Sequence, residues 1–290
     1  PLKDWDVKIY RGVLTGFNDA FIIDTETRNR ILANCKTEEE RKRTEEIIKP
    51  VLRGRDIGRY YYKWAGLWVI YIPWHFPLHK NQNITGASEL AESEFRKKYP
   101  ALYSYLLQYK DGLMQRNKEE TCKRYEWYAL QRWAADYYPE FEKEKIVWQE
   151  MTYEPAFAYD DRNYYTNQTI YIMTGKNLKY ILGVLNSKVS EKYMSMIAYS
   201  LSEGAQRWIK QYVEQIPLPP ITPQNHHIVK EIENLVSQIL SLTQSPDYET
   251  NPQKQAKVKE LEKEIDKLVY KLYDLTEEEI KIIGGARNEW

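Results

Sequence analysis

The residues best suited to chemistry in this 290-residue sequence are basic, and the richest stretch of them runs from position 49 to 63. It contains one acidic residue, Asp56, and five basic residues: Lys49, Arg53, Arg55, Arg59 and Lys63. The planar guanidinium group of arginine pairs bidentately with guanine O6 and N7 or with phosphate oxygens, whereas lysine supplies a point charge. The stretch therefore predicts contact with nucleic acid. The alternative for Arg53 and Arg55 is an internal salt bridge to Asp56 or to the acidic helix before it.

Two further stretches combine positive charge with amide or aromatic side chains. The sequence SEGAQRWIKQY occupies residues 202–212, and KRYEWYALQRW occupies residues 123–133. A glutamine side chain hydrogen-bonds adenine edges or phosphate, and aromatic rings beside basic groups suit base stacking with phosphate contact. The alternative is that the aromatic residues hold these loops to the core. The contacts predicted in the two stretches are Gln206, Arg207, Lys210, Arg124 and Arg132.

Catalytic and metal-binding patterns are weak in this sequence. His75 and His79 have the spacing of a helical zinc pair, but prolines beside both prevent that helix, and no glutamate lies between them. Asp247, Glu279 and Lys281 resemble a nuclease metal site only loosely, because they fall on a loop and a predicted helix. We therefore predict no catalytic, cofactor-binding or metal-binding residue in this chain. A diverged magnesium-dependent nuclease is the enzyme alternative.

The composition limits the classes of protein to which the chain can belong. Its 42 basic and 42 acidic residues give zero net charge, so attraction to a polyanion requires a locally positive face. The two cysteines, Cys35 and Cys122, lie far apart, which favours a reducing compartment and predicts a cytoplasmic location. No apolar run approaches the roughly 20 residues that cross a bilayer, so no membrane partner is expected. The first residues read as the start of a fragment cut from a longer polypeptide.

Short strands and helices are predicted along the first 222 residues. Thr37 and Glu40 have capping-box spacing, which predicts a helix over 37–49. The helical pattern of 90–113 is predicted to break at Pro100, which has no backbone donor. A helix is predicted over 177–187, and strands over 17–24, 67–72, 146–149 and 168–173. The predicted fold class is α+β, with a mixed, mostly antiparallel sheet and packed helices.

Closely spaced prolines from 217 to 223 predict a stiff connector and a domain boundary, with residues 1–222 on one side and 223–290 on the other. Beyond it, apolar residues recur at heptad spacing in two segments. They are Ile228, Ile232, Leu235, Ile239 and Leu242 in the first, and Leu261, Ile265, Leu268, Leu272 and Leu275 in the second. Two such helices bury their apolar faces by folding back on each other, so we predict an antiparallel helical hairpin.

Three longer motifs carry a resemblance to a known family. They are IYRGVLTGFNDAFIID at 9–24, IKPVLRGRDIGRYYY at 48–62, and the stretch from 177 to 220 that ends in IPLPP. In this order and spacing they resemble the TaqI-like specificity domain. That domain is the C-terminal target-recognition part of adenine-N6 DNA methyltransferases and of fused restriction-modification enzymes. The hairpin resembles the spacer helices of type I specificity subunits.

The resemblance implies sequence-specific recognition of double-stranded DNA. It also implies a covalently linked upstream methyltransferase domain that binds S-adenosylmethionine, and in some parents an endonuclease. The N-P-P-Y/F tetrapeptide and the glycine-rich cofactor loop of such enzymes are not in this sequence, so the chain itself is expected to be non-catalytic and without a cofactor. The remaining alternative is an assembly subunit whose helical hairpin docks to another domain or subunit.

Overall fold

The computed structural model describes residues 1–198 and 205–284, which form an α+β fold. Its strands are β1 (Val7–Arg11), β2 (Ile22–Asp24), β3 (Ile48–Leu52), β4 (Ile57–Gly58), β5 (Tyr61–Tyr62), β6 (Leu67–Ile70), β7 (Lys145–Gln149), β8 (Met151–Thr152), β9 (Phe157–Asp160), β10 (Tyr165–Thr166), β11 (Ile170–Gly175) and β12 (Gln206–Arg207). Its helices are α1 (Asn18–Phe21), α2 (Thr25–Ala33), α3 (Glu38–Ile47), α4 (Glu89–Lys98), α5 (Pro100–Leu107), α6 (Lys110–Met114), α7 (Leu178–Leu185), α8 (Lys188–Ile197), α9 (Lys210–Val213), α10 (His226–Thr243), α11 (Pro252–Leu272) and α12 (Glu277–Gly284).

The longer strands divide between two four-stranded sheets. The first has the order β1-β11-β7-β9, with every neighbouring pair antiparallel. The second has the order β10-β3-β6-β2, in which only the β10–β3 pair is parallel. Two short antiparallel pairs, β12-β8 and β4-β5, stand beside them. The prediction of an α+β fold with mixed, mostly antiparallel pairing is thus confirmed, with several sheets in place of one.

The first sheet forms the wall between two hydrophobic cores. Along β7, Val147 belongs to one core, while its neighbours Ile146 and Trp148 belong to the other. The same alternation holds in β11, where Ile172 and Met173 face opposite cores. Because side chains along a strand alternate between faces, a sheet with both faces covered needs apolar residues at consecutive positions. That requirement explains the continuous apolar run in β7.

Most local predictions are confirmed. Thr37 caps α3, since its Oγ1 accepts a hydrogen bond from the backbone N–H of Glu40 at 3.1 Å. The break at Pro100 separates α4 from α5, which starts at that proline. The predicted strand over 17–24 is wrong in its first half, where α1 precedes the short strand β2. Ala20 and Phe21 are both fully buried, and one helical turn places two consecutive side chains in the same core, which a one-sided strand does not.

The predicted helical hairpin is formed by α10 and α11, which pack against each other and against α7. Its apolar residues, including Ile232, Ile239, Leu261 and Ile265, are buried in the second core together with side chains of the first sheet. A Cβ at Gly183 of α7 would lie 2.7 Å from the Ile232 Cγ2, so glycine permits this close helix approach. The hairpin is therefore part of a continuous core. The division of the chain at residue 222 stays a prediction.

Candidate nucleic-acid interface

Three strands of the first sheet terminate beside one another at one end. There, β1 ends at Arg11, β7 ends at Gln149 and β11 begins at Ile170. The backbone N–H of Gly12 donates to the Ile170 carbonyl at 2.9 Å, and the N–H of Glu150 donates to the Thr169 carbonyl at 2.9 Å. We call this area the sheet-end surface, and its polar side chains are Arg11, Arg55, Glu150, Gln168, Gln206 and Arg207.

At the centre of the sheet-end surface, the Glu150 carboxylate bridges two arginines. Its Oε2 accepts a hydrogen bond from Arg11 Nη2, and its Oε1 accepts one from Arg207 Nη2. This group of three residues is the Glu150 trio. Both arginine side chains are nearly half exposed, at 48% and 44%, whereas the Glu150 side chain is 14% exposed. The hydrogen bond with Glu150 raises the pKa of Arg207, so this guanidinium stays charged.

Trp208 fixes the position of Arg207 in this trio. Its ring is fully buried and lies edge-on to Phe157, with 5.5 Å between ring centroids. The backbone N–H of Trp208 donates to the Glu150 carbonyl at 2.7 Å, and the Trp208 carbonyl accepts from Trp148 Nε1 at 2.7 Å. A buried anchor therefore presents the exposed residue that precedes it in β12. Exposed Lys210 follows at the start of α9.

Two glutamines flank the Glu150 trio with unused acceptors. The side-chain oxygens of Gln168 and Gln206 are buried and accept no hydrogen bond from the described residues. The backbone carbonyl of Gln168 accepts from Arg11 Nε at 2.7 Å, which ties this residue to the trio. A buried polar atom without a partner is unfavourable, and a side-chain rotation toward a ligand would satisfy it. Amide side chains at these two positions are suited to hydrogen-bond a base edge.

The loop at Arg53–Arg55 reaches the same surface. The N–H of Gly54 donates to Thr169 Oγ1 at 3.1 Å, which places the loop beside the end of β11. Arg53 Nε and Nη2 donate to Asp56 at 3.1 and 2.8 Å, so this guanidinium is used within the chain, and that bond raises its pKa. Arg55 is exposed, and no hydrogen bond or ion pair within 1–198 and 205–284 engages its side chain.

A second carboxylate-bridged arginine pair is formed by Glu120, Arg124 and Arg132, and we call it the Glu120 trio. Arg124 Nη1 donates to Glu120 Oε1 at 2.7 Å, and Arg132 donates to both carboxylate oxygens at 2.8 and 3.0 Å. Both guanidinium groups lie over the Trp74 ring, 5.2 and 5.9 Å from its centroid. The hydrogen bond from Arg132 is the main cause that lowers the pKa of Glu120.

The turn after β1 connects the two trios. Leu14 and Arg132 exchange backbone hydrogen bonds of 2.9 and 3.0 Å, three residues after Arg11. Gly16 has a φ of 72°, and Thr15 Oγ1 donates to Asn18 Oδ1 at 2.6 Å, as expected of a glycine turn held by asparagine. The turn is also held from inside, because the buried guanidinium of Arg116 donates to the Thr15 carbonyl at 2.7 Å. Burial lowers the pKa of Arg116 to about 10.

The comparisons with known proteins address the family. The model of the TaqI-like C-terminal specificity domain matches residues 49–218, which is more than half of the chain. The chain belongs to this family. The predicted resemblance is therefore confirmed. No curated protein matches the sequence.

Among solved structures, the specificity domain resembles the type IIL restriction-modification enzyme MmeI, which was determined in complex with DNA. The TM-score is 0.62 at 15% sequence identity, and the match covers 98% of this chain and 35% of the MmeI chain. At that identity the likeness establishes a shared fold. This specificity domain thus spans about a third of the length of that enzyme.

The structure of the specificity domain brings together some of the predicted site residues and separates others. Gln206, Arg207 and Arg55 lie at the sheet-end surface, while Arg124 and Arg132 lie beside the connecting turn. Of the other predicted contacts, Lys210 is exposed at the start of α9, and Arg53 is held by Asp56 within its own loop. Lys49 and Arg59 have partners elsewhere, so the basic stretch of 49–63 does not form one face. Lys49 contacts Glu142 at 3.2 Å, and Arg59 donates to the Pro155 carbonyl at 3.0 Å and lies 4.0 Å from Glu262. Whether any of these side chains touches DNA stays a prediction.

Sequence reasoning missed Arg11, Glu150 and Gln168. Arg11 directly precedes Gly12 in the first motif, and its position beside the turn that follows is the one signal in the sequence that could have indicated it. Glu150 follows a predicted strand but carries no pattern that distinguishes it from other surface acids. Residues 199–204, which include the beginning of the SEGAQRWIKQY motif, lie outside the described residues.

The acids of the nuclease alternative lie in separate local arrangements. Asp247 pairs with Lys254, and Glu279 accepts from the Thr276 N–H at 2.8 Å. Within the described ranges, no group of three or more histidine, cysteine or acidic side chains is arranged to hold a metal ion. A search of the same residues also finds no helix with the length and apolar character needed to cross a membrane.

Proposed function

We propose that this specificity domain recognises a short sequence in double-stranded DNA through the sheet-end surface and the adjoining Glu120 trio. The observation that carries the proposal is the convergence of exposed arginines from separate parts of the chain, such as Arg11, Arg55 and Arg207, at one end of the first sheet. Membership of a specificity-domain family and the fold shared with an enzyme solved on DNA support the same function.

In the mechanism that we propose, the two kinds of polar side chain have different tasks. Arginines and Lys210 hold phosphates, which positions the domain on the duplex but distinguishes no base. Gln168 and Gln206, whose side-chain oxygens accept no hydrogen bond from the described residues, read base edges in the major groove. Arg55 is free to do either, because its guanidinium has no partner within the described residues.

We further propose that the parent protein is an adenine-N6 DNA methyltransferase, alone or fused to an endonuclease. The S-adenosylmethionine site and the adenine pocket would then belong to an upstream domain, since this chain has neither the N-P-P-Y/F tetrapeptide nor the glycine-rich loop. Recognition by this domain would place the target adenine so that the upstream domain extracts it from the base stack.

The assembly alternative receives less support from the hairpin. Of its ten heptad residues, five are 0 to 4% exposed, and the other five are partly buried against the same core. An apolar seam that is filled by α7 and by the partner helix has little surface left with which to bind another subunit. Docking through the exposed polar faces of α10 and α11 is compatible with DNA recognition.

The proposal is tested by selecting binding sequences from a pool of duplexes with a random central segment and measuring affinity by fluorescence anisotropy. We expect enrichment of one short sequence. Arg207→Ala removes a phosphate contact and should weaken binding to every duplex about equally, whereas Arg55→Ala should weaken binding to the selected sequence by roughly 1 to 3 kcal/mol, with relaxed selectivity at one position, if Arg55 reads a base. Lys267→Ala, at an exposed position of α11, is the control and should bind as the wild type does.

Salt dependence provides a second measurement. Each phosphate contact contributes about −0.9 to the slope of log K against log salt concentration, so removing a phosphate-binding arginine should flatten the slope by that amount. Failure to enrich any sequence, with affinity unchanged in Arg55→Ala and Arg207→Ala, would exclude this surface as the reader.

A further inference from the structure

The Glu150 trio and the Glu120 trio repeat one arrangement. In each, a single carboxylate uses both oxygens to hold two arginines. In each, the acid is the least exposed member, with 14% of the Glu150 side chain and 12% of the Glu120 side chain accessible. The arginines lie outside, with exposures from 44 to 60%. An approaching polyanion would therefore meet guanidinium groups first, with a carboxylate behind each pair.

The two carboxylates contribute little to the stability of the fold, but they lower the positive charge of this surface. Ion pairs that include such exposed arginines contribute only about 0 to 1 kcal/mol to stability. Two guanidinium charges and one carboxylate charge leave each trio with a net charge of +1 instead of +2. Non-specific binding to DNA depends on the number of phosphates neutralised. Halving the local charge therefore weakens non-specific binding more than it weakens sequence-specific binding.

We propose that Glu150 and Glu120 set the specificity of DNA recognition by restraining their arginines from non-specific phosphate binding, an inference that rests on the proposed function. On a non-target duplex, an arginine that binds phosphate must share its charge with the carboxylate behind it. On the target sequence, hydrogen bonds to base edges hold the duplex in place, so the arginines keep their carboxylate partner and the charge of that acid weakens binding less than it does on other DNA. The two acids thus lower affinity for all sequences but raise the ratio between target and non-target DNA, which is the quantity that determines occupancy of a site.

The test uses Glu150→Gln and Glu120→Gln, which preserve side-chain size and one acceptor oxygen while removing the charge. The probe is a fluorescein-labelled duplex of random sequence. One additional phosphate contact should raise the affinity of each variant for this probe about fifteenfold at 50 mM salt and about fourfold at 200 mM, and steepen the salt slope by about 0.9. The ratio of affinities for the selected and random duplexes should fall. Glu264→Gln, at an exposed position of α11, controls for loss of one negative charge.

Glu150→Asp separates charge from geometry, because it keeps the negative charge on a shorter side chain. It should bind the random duplex less tightly than Glu150→Gln does. Circular dichroism and urea unfolding of every variant establish that the fold is retained. If the wild type binds DNA selectively but Glu150→Gln and Glu120→Gln bind the random duplex no more tightly, the acids merely position the arginines, and this inference is overturned while the proposed function stands. If the wild type binds no duplex, both are overturned.

Discussion

Replacing Lys145 by methionine should destabilise the protein severely, because it would leave a buried charge without its partner. Lys145 of β7 and Asp160 of β9 are both fully buried, with 2.6 Å between Nζ and Oδ2. Nζ also donates to the Phe141 carbonyl at 2.7 Å, while Asp160 accepts from the backbone N–H groups of Arg162 and Tyr164 at 2.9 and 3.0 Å. Burial is the main cause that lowers the pKa of Lys145, and Asp160 opposes it.

The magnitude follows from these contacts. Removing one member of a buried ion pair costs about 3 to 5 kcal/mol, because the other charge remains desolvated and uncompensated. In Lys145→Met, two backbone N–H groups still bind Asp160, so we expect the lower end of that range, about 3 kcal/mol. Lys145→Met/Asp160→Asn removes both charges and keeps one acceptor oxygen, which serves one of the two backbone N–H groups because they bind different carboxylate oxygens. The double variant should therefore recover about 1 to 2 kcal/mol relative to Lys145→Met.

The assay is urea unfolding of the wild type, Lys145→Met, Asp160→Asn and the double variant, followed by tryptophan fluorescence and far-ultraviolet circular dichroism. The four free energies of unfolding form a double-mutant cycle, whose interaction term reports the coupling between Lys145 and Asp160. A loss below about 1 kcal/mol in Lys145→Met would refute the reasoning, since unpaired buried charges are expected to cost more than that. The reasoning would also be refuted if the loss of unfolding free energy in the double variant equalled the sum of the losses in the two single variants.

Three smaller perturbations address other parts of the fold. An alanine Cβ at Gly12 would lie 2.0 Å from the Asn167 carbonyl oxygen, so Gly12→Ala should lose about 1 to 3 kcal/mol in urea unfolding. Gly284→Ala should not, because its Cβ would meet no atom of the described residues within 4 Å. Thr37→Ala should lose about 1 kcal/mol with its helix cap. The pKa of Glu120 is lowered in the folded state, so as the pH falls the unfolded state takes up the proton before the folded state does. The free energy of unfolding should therefore decrease below a pH of about 4.5, and this decrease should be smaller in Glu120→Gln.

Local signals in the sequence were sufficient for much of the fold. The capping residue Thr37, the break at Pro100 and the heptad spacing of α10 and α11 each act within a few residues, and each prediction is confirmed. The family also emerged from motifs that are continuous in sequence. In contrast, the alternation of apolar residues after the glycine turn predicts a strand over 17–24, but the tertiary fold buries the consecutive side chains of Ala20 and Phe21, and the first part is a helical turn.

The candidate site was harder to predict because its residues meet only in three dimensions. Glu150 contacts Arg11 across 139 residues of sequence and Arg207 across 57. No periodicity or spacing indicates such partners. The salt bridge between Arg53 and Asp56, in contrast, joins residues three positions apart, so the sequence indicates it as an alternative to DNA contact. The basic residues of 49–63 are close in sequence, but the fold places them on different surfaces. Lys49 pairs with Glu142, whereas the loop of Arg55 lies beside Thr169.

The central claim is that DNA lies against the sheet-end surface and the adjoining turn. Photocrosslinking of the wild type to its selected duplex, with 5-bromouracil in place of thymine, tests it directly when the crosslinked peptides are identified by mass spectrometry. We predict crosslinks within residues 11–17, 53–55, 150–152, 168–169 and 205–210. Crosslinks confined to α10 and α11, or to the surface around Lys49, would contradict the account.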